Sequence, residues 1–308
     1  MDNFAARARA FGSVLLLLMT LMAGLMTKNV GRYYTDAEAE EFSAAAKDAG
    51  AGMVIAIGGG FDTQEHFQPL IDIVLEHAGK ATPKLLFVPT AARDSLDGYE
   101  DKISWFESAG FEVDYLFVTT ASPEEVAQKV ESADVIYETG GNLQFLTENW
   151  SGKGMYGAVR AAFERGAVLM GVSSGAMCWG ARGWDDFGPD VVRVTGSFPF
   201  VGRASGYGYC DCAGIIPFCV CPHFDNVGWR MYAFEALKLD IPSLCIENGA
   251  AVVFSGGEYR VVSDAAHPLR KAYLFVPDRG IVMLDVKKAP VFLALADGEY
   301  RVLPGTEG

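Results

Sequence analysis

Between residues 53 and 172 the chain repeats one pattern: a short apolar run, a turn, and a segment with helical spacing. Met53 to Ile57 is apolar and ends in Gly58, Gly59 and Gly60, and Gln64 to Ala78 then places Phe67, Leu70, Ile71, Val74 and Leu75 on one face. Leu85 to Val88 is closed by Pro89, and a helix is expected over Leu96 to Ala109 before the strand Val113 to Val118. Ser122-Pro123-Glu124-Glu125 opens the next helix with a capping hydroxyl, a proline at the first position and acidic residues at the positive end of the helix dipole. Asp134 to Thr139 is a strand, Gly140-Gly141-Asn142 a turn, Leu143 to Trp150 and Tyr156 to Arg165 are helices, and Val168 to Val172 is a further strand. Strands and helices alternating at this length imply a doubly wound α/β fold, with a mostly parallel sheet covered on both faces by right-handed crossovers. After about residue 206 the helices give way to short strand-like runs, which are expected to add antiparallel strands to one edge rather than to form a separate domain.

In such sheets ligands bind beyond the carboxyl ends of the strands. Gly171-Val172-Ser173-Ser174-Gly175 occupies such an end, directly after a buried strand and before a helix beginning Ala176-Met177-Cys178. It matches the Gly-x-Ser-x-Gly nucleophile elbow, in which glycines permit a tight turn that lifts the serine hydroxyl above the sheet. A serine needs a base, and the chain has four histidines. His66 and His77 fall in the first helix and His267 in a loop before Pro268, whereas His223 follows Cys221-Pro222 at the end of an apolar run. A third group must hold the imidazole in the right tautomer. Glu247, between Leu244-Cys245-Ile246 and Asn248-Gly249, is one candidate; Asp225 is a rival because it is near His223, and Asp185 and Asp186 are further alternatives.

The elbow with Ala176, the Gly140-Gly141-Asn142 turn, Pro222-His223-Phe224 and Glu247 before Asn248-Gly249 together resemble the peptidase E family of serine peptidases, which includes aspartyl dipeptidase and is related to cyanophycinase. The resemblance spans roughly residues 52 to 265 and implies a class I glutamine amidotransferase-like fold. It implies a Ser-His-Glu triad of Ser173, His223 and Glu247, with an oxyanion hole from the amides of Gly141 and Ser174. It also implies cleavage of short peptides through an acyl-enzyme, with Asn142 and Arg230 near the substrate and no metal or organic cofactor. Two departures stand out: Ser174 replaces the usual alanine after the nucleophile, and Arg230 is the sole arginine between Asp225 and Leu237, where the aspartyl dipeptidases read an acidic side chain. A cyanophycinase-like peptidase, another amidase or esterase with the same triad, and a silent peptide-binding protein are the alternatives.

Composition narrows the partners. A net charge of −14 and the lack of a basic cluster argue against nucleic acid. The six cysteines are clustered rather than spread as staples, which suits a reducing, cytoplasmic setting; Cys210-Asp-Cys212 and Cys219-Val-Cys221 lack the Cys-x-x-Cys spacing of zinc sites and read as small apolar side chains on strands. Residues 1–49 divide into Arg7 and Arg9, an uncharged run from Ala10 to Thr27, and a polar linker helix from Asp36 to Lys47, ahead of one hydrolytic domain over 50–308. The uncharged run has the layout of a signal peptide or anchor, and any membrane contact is expected to come from it alone.

Overall fold

The computed structural model describes residues 52–185, 208–236, 239–256, 258–276, 280–284, 292–296 and 299–303. The apolar segment, the linker helix and Asp186 lie outside them. No helix among the described residues is long and apolar enough to cross a membrane.

The repeating pattern becomes the parallel part of a seven-stranded sheet. Its strands are β1 (Met53–Ile57), β2 (Lys84–Val88), β3 (Glu112–Tyr115), β4 (Val135–Glu138) and β5 (Val168–Val172), in the spatial order β1-β5-β4-β2-β3. Side chains alternate across the sheet, so Val54 and Ala56 face one core while Met53, Ile55 and Ile57 face the other. The second core is roofed by α1 (Gln64–Ala78), which buries Phe67, Leu70, Ile71 and Val74, and by α2 (Glu100–Ser108). Each fully buried side chain of this size is worth about 1.5–3 kcal/mol, which orients the amphipathic helix. Thr63 caps α1 by accepting from the amide of His66, and Gly79 ends it in the left-handed region. The opposite face carries α3 (Pro123–Ser132), α4 (Leu143–Ser151) and α5 (Met155–Glu164). Ser122 accepts from the Glu125 amide at 3.2 Å, as its position before Pro123 predicts.

Helix α2 starts four residues later than the periodicity suggests. Residues 90–98 instead form turns in which Arg93 and Asp94 both take φ of +59°, and the Asp94 carboxylate accepts from the backbone and hydroxyl of Thr119. Gly98, with φ of +81°, interrupts the right-handed helix, so α2 begins only after it.

The later strands divide between two sheets. β10 (Ala250–Ser255) and β11 (Glu258–Ser263) extend the large sheet as antiparallel edge strands, with Ile55 opposite Val253 in the β1–β10 pair. The others form a six-stranded mixed sheet in the order β13-β12-β9-β8-β6-β7. Its members are β6 (Gly180–Asp185), β7 (Gly208–Asp211), β8 (Ile216–Cys221), β9 (Ser243–Ile246), β12 (Ala272–Val276) and β13 (Gly280–Leu284), of which β6, β8 and β9 run parallel. One apolar cluster runs from Val54, Leu169 and Val252 of the large sheet to Phe218, Val220 and Leu244 of the small one, so the two sheets share a core. A hairpin of Phe292–Ala296 and Glu299–Leu303 completes the described chain.

Candidate active site

The site forms where β1, β4, β5, β8 and β9 end. Ser173 follows β5 with φ of +57° and ψ of −118°, a conformation that L-residues avoid and that the surrounding structure must enforce. The elbow glycines explain how it is enforced. A Cβ at Gly171 would lie 2.4 Å from the Gly175 carbonyl, and one at Gly175 would lie 2.2 Å from the carbonyl of Glu138, so neither position accepts another residue without displacing backbone. Ser173 donates its amide to Ile57 O at 3.0 Å, and a four-residue helix, α6 (Ser174–Met177), begins immediately after it.

His223 follows β8, also with a positive φ of +52°, and its amide donates to Gly58 O at 3.0 Å. The nucleophile and the base therefore hang from successive carbonyls of one strand end. Their side chains meet, with Nε2 of His223 2.9 Å from Oγ of Ser173. Trp229 packs against the imidazole with ring centroids 5.4 Å apart. The Gly58–Gly60 turn closes the other side, where a Cβ at Gly59, whose φ is +141°, would lie 2.1 Å from Oδ1 of Asn248 and 2.8 Å from the imidazole.

The third position differs from the expectation. Nδ1 of His223 meets Oδ1 of Asn248 at 2.7 Å, and Glu247 makes no hydrogen bond to the ring. The reason is alternation: successive residues at a strand end point to opposite sides, so when Asn248 faces the histidine, Glu247 faces away. The Glu247 carboxylate accepts from Tyr273 OH at 3.1 Å and the Lys271 amide at 3.1 Å, and lies 3.5 Å from the Arg230 guanidinium. Behind Asn248 stands the rival, Asp225. Its Oδ1 accepts from the backbone amide of Asn248 at 2.8 Å and from Nδ2 at 2.9 Å, and its Oδ2 accepts from Arg270 at 2.7 Å. With Nδ2 given to a carboxylate, the amide must present its oxygen to His223, which makes Nδ1 the protonated ring nitrogen and leaves Nε2 as the acceptor for the serine proton. Asp185 is elsewhere, buried and accepting from the Leu143 amide at 3.1 Å.

Gly141 and Ser174 face one another across the elbow. The Ser174 hydroxyl donates to Gly141 O at 2.7 Å, so the residue that departs from the usual alanine links the two sides of the expected oxyanion hole. Neither the Gly141 amide nor the Ser174 amide donates to an acceptor among the described residues. Asn142 is held as a cap: its amide donates to Ala91 O at 2.8 Å and its side-chain oxygen accepts from the Phe145 amide at 2.7 Å. Arg230 is also engaged, its Nε donating to Phe224 O at 3.1 Å.

Beneath the Gly-Gly turn, Glu138 is fully buried, and burial pushes its carboxyl well above the usual range. It accepts from the Ala91 amide at 3.0 Å and so fixes the loop on which Asn142 rests. The cysteines are free thiols. Burial pushes Cys219 up to about 12 and raises Cys178, Cys212, Cys221 and Cys245 as well. No group of three or more metal-ligating side chains occurs among the described residues.

Sequence reasoning missed Asn248 and Arg270 in this neighbourhood. The alternation that sets Glu247 and Asn248 on opposite sides was the available signal for the first; the second comes from a distant segment with no motif of its own.

The sequence and the fold are similar to those of known peptidases. The model of Peptidase family S51 matches residues 53–262. The chain is 27% identical over 206 residues to the uncharacterized peptidase YgaJ of Bacillus subtilis (strain 168), covering 66% of this chain and 83% of that protein. It is 31% identical over 193 residues to the uncharacterized peptidase PM1590 of Pasteurella multocida (strain Pm70), covering 61% and 89%. The crystal structure of a peptidase from an acI-B1 Actinobacterium shares the fold, with a TM-score of 0.55 at 19% identity over 83% of this chain and 96% of that one. The chain belongs to peptidase family S51, the peptidase E family, and is a serine-type peptidase.

Proposed function

We propose that this protein hydrolyses short peptides through an acyl-enzyme on Ser173, with His223 as base and Asn248 as the group that orients it. The observation that carries this reading is the pair of contacts on one imidazole, 2.9 Å to Ser173 Oγ and 2.7 Å to Asn248 Oδ1. His223 takes the hydroxyl proton as Ser173 attacks the scissile carbonyl, and the amides of Gly141 and Ser174 receive the oxyanion. The imidazolium then protonates the leaving amine, and water, deprotonated by the same nitrogen, releases the acyl group. A neutral amide in the third position orients the ring as a carboxylate does, but offers less stabilisation to the imidazolium. Asp225 supplies its negative charge one hydrogen bond further back, partly offset by Arg270.

We infer a preference for dipeptides with an acidic residue, the Asp-X class. Such selectivity needs a cation at the rim, and Arg230 is committed to Glu247 and Phe224 O. Arg93 is exposed, sits 4.6 Å over the Phe145 ring, and has no carboxylate partner among the described residues. It lies two residues beyond Ala91, whose carbonyl abuts Gly141. The test is turnover of a panel of Asp-X, neutral X-X and β-aspartyl dipeptides by the wild type and Ser173→Ala. Cleavage that disappears in the variant is expected; unchanged turnover by Ser173→Ala would remove the nucleophile assignment.

A further inference from the structure

The oxyanion hole expected at Gly141 depends on the direction of one peptide plane, and glycine-glycine sequences leave such planes free to rotate. A side chain far away in sequence takes hold of this one. Tyr99, the residue before α2, brings its hydroxyl to Gly140, where it accepts from the Gly140 amide at 2.9 Å and donates to the Gly140 carbonyl at 3.2 Å. The ring is set by an edge contact with Phe87 of β2, centroids 5.8 Å apart, so the hydroxyl is delivered from the sheet rather than from a mobile tip. In a trans peptide the carbonyl and the following N–H point in opposite directions. Holding the Gly140 carbonyl toward the phenol therefore turns the Gly141 N–H away from it. A Cβ placed on Gly140 would lie 3.1 Å from Cβ of Ser173 and 3.5 Å from the phenol oxygen, which sets this peptide directly beside the nucleophile.

We propose that Tyr99 is a positioning residue for catalysis: its hydroxyl clamps the Gly140–Gly141 peptide so that the Gly141 amide is aimed at the developing oxyanion. Ser174 holds the next peptide by its bond to Gly141 O, so the turn is gripped on both sides. The phenol also keeps its proton, since burial raises Tyr99 above its ordinary range, and its donation to Gly140 O persists across the working pH range.

The proposal rests on Ser173 being the nucleophile, and the experiment separates the two. Wild type, Ser173→Ala and Tyr99→Phe are compared for phosphonylation by a fluorophosphonate probe, for kcat and KM on a cleaved dipeptide, and for thermal unfolding. Tyr99→Phe is expected to keep KM within about twofold while kcat and the labelling rate both fall roughly 10- to 30-fold, less than the ~100- to 1,000-fold that follows loss of a whole oxyanion donor. Should Tyr99→Phe fold poorly, Ser174→Ala reads the same clamp from its other side and should lower kcat and labelling together, again at constant KM. Labelling of wild type and of well-folded Tyr99→Phe at equal rates overturns the proposal and leaves the nucleophile standing. A change confined to KM or to the unfolding temperature also overturns it. Absence of labelling in the wild type overturns the nucleophile assignment and the proposal with it.

Discussion

Replacing Asn248 by alanine removes the acceptor 2.7 Å from Nδ1 of His223 and one of the two hydrogen bonds that Asn248 gives Asp225. The backbone amide of residue 248 still donates to Asp225 at 2.8 Å, and Arg270 still neutralises it, so the fold around the site should survive. What is lost is a bond that strengthens as the imidazole becomes charged, worth about 1.5–3 kcal/mol. At 1.36 kcal/mol per tenfold, this corresponds to a fall in kcat of roughly 10- to 150-fold with KM little changed. Asn248→Asp is more discriminating. It sets a new carboxylate where Nδ2 now faces Asp225 at 2.9 Å, so two like charges meet and the variant should gain nothing. Adding Asp225→Asn removes the opposing negative charge, and the double variant should recover part of the lost activity. Glu247→Gln should stay within about threefold of wild type in kcat, under 1 kcal/mol. Steady-state kinetics from pH 5 to 9 on the four variants provide the test. A Glu247→Gln variant as impaired as Asn248→Ala would refute the assignment.

Gly59→Ala should abolish turnover, since its Cβ would meet Asn248 Oδ1 at 2.1 Å and the backbone has φ of +141°; a kcat near wild type would show that the turn yields more readily than its packing implies. Arg93→Ala should raise KM for Asp-X dipeptides about tenfold, the equivalent of ~1.4 kcal/mol, and leave neutral dipeptides alone, while equal effects on both would remove it as the acid-reading residue. Glu138→Gln should stabilise the protein increasingly as pH rises above about 4.5. Glu138 has a raised folded-state pKa, so its contribution is complete below the unfolded value and is lost as pH rises from the unfolded towards the folded pKa. Chemical unfolding at pH 4 and pH 8 should show a difference only at the higher pH. In the native protein at pH 8, iodoacetamide should spare Cys178, Cys219, Cys221 and Cys245, whose thiols are buried and raised; rapid labelling of these four would mean that the sheet opens readily.

The parallel half of the fold was legible because its signals are local. Gln64–Ala78 and Val168–Val172 stand where periodicity places them, and Ser122 caps as its neighbours predict. The meeting of Ser173 with His223 could be anticipated because both residues end apolar runs. Which later strand joins which sheet could not be read, since β9 and β10 are similar apolar runs only three residues apart that pair with different partners. The residue that meets Nδ1 of His223 lies one position beyond the expected one, because the sequence marks a carboxylate at a strand end but not the direction in which it points. Tyr99 was invisible for a related reason: its hydroxyl acts 41 residues from its place in the chain, on glycines that carry no side chain to advertise a partner.

The end of β1 and the residue after it supply the carbonyl of Ile57 to Ser173 and the carbonyl of Gly58 to His223, although Ser173 follows a strand of the large sheet and His223 one of the small. The distance between attacking oxygen and accepting nitrogen is thereby referred to a single peptide link. The strand end serves as a common datum for the pair, so a displacement of β1 carries nucleophile and base together and leaves the alignment for proton transfer in place.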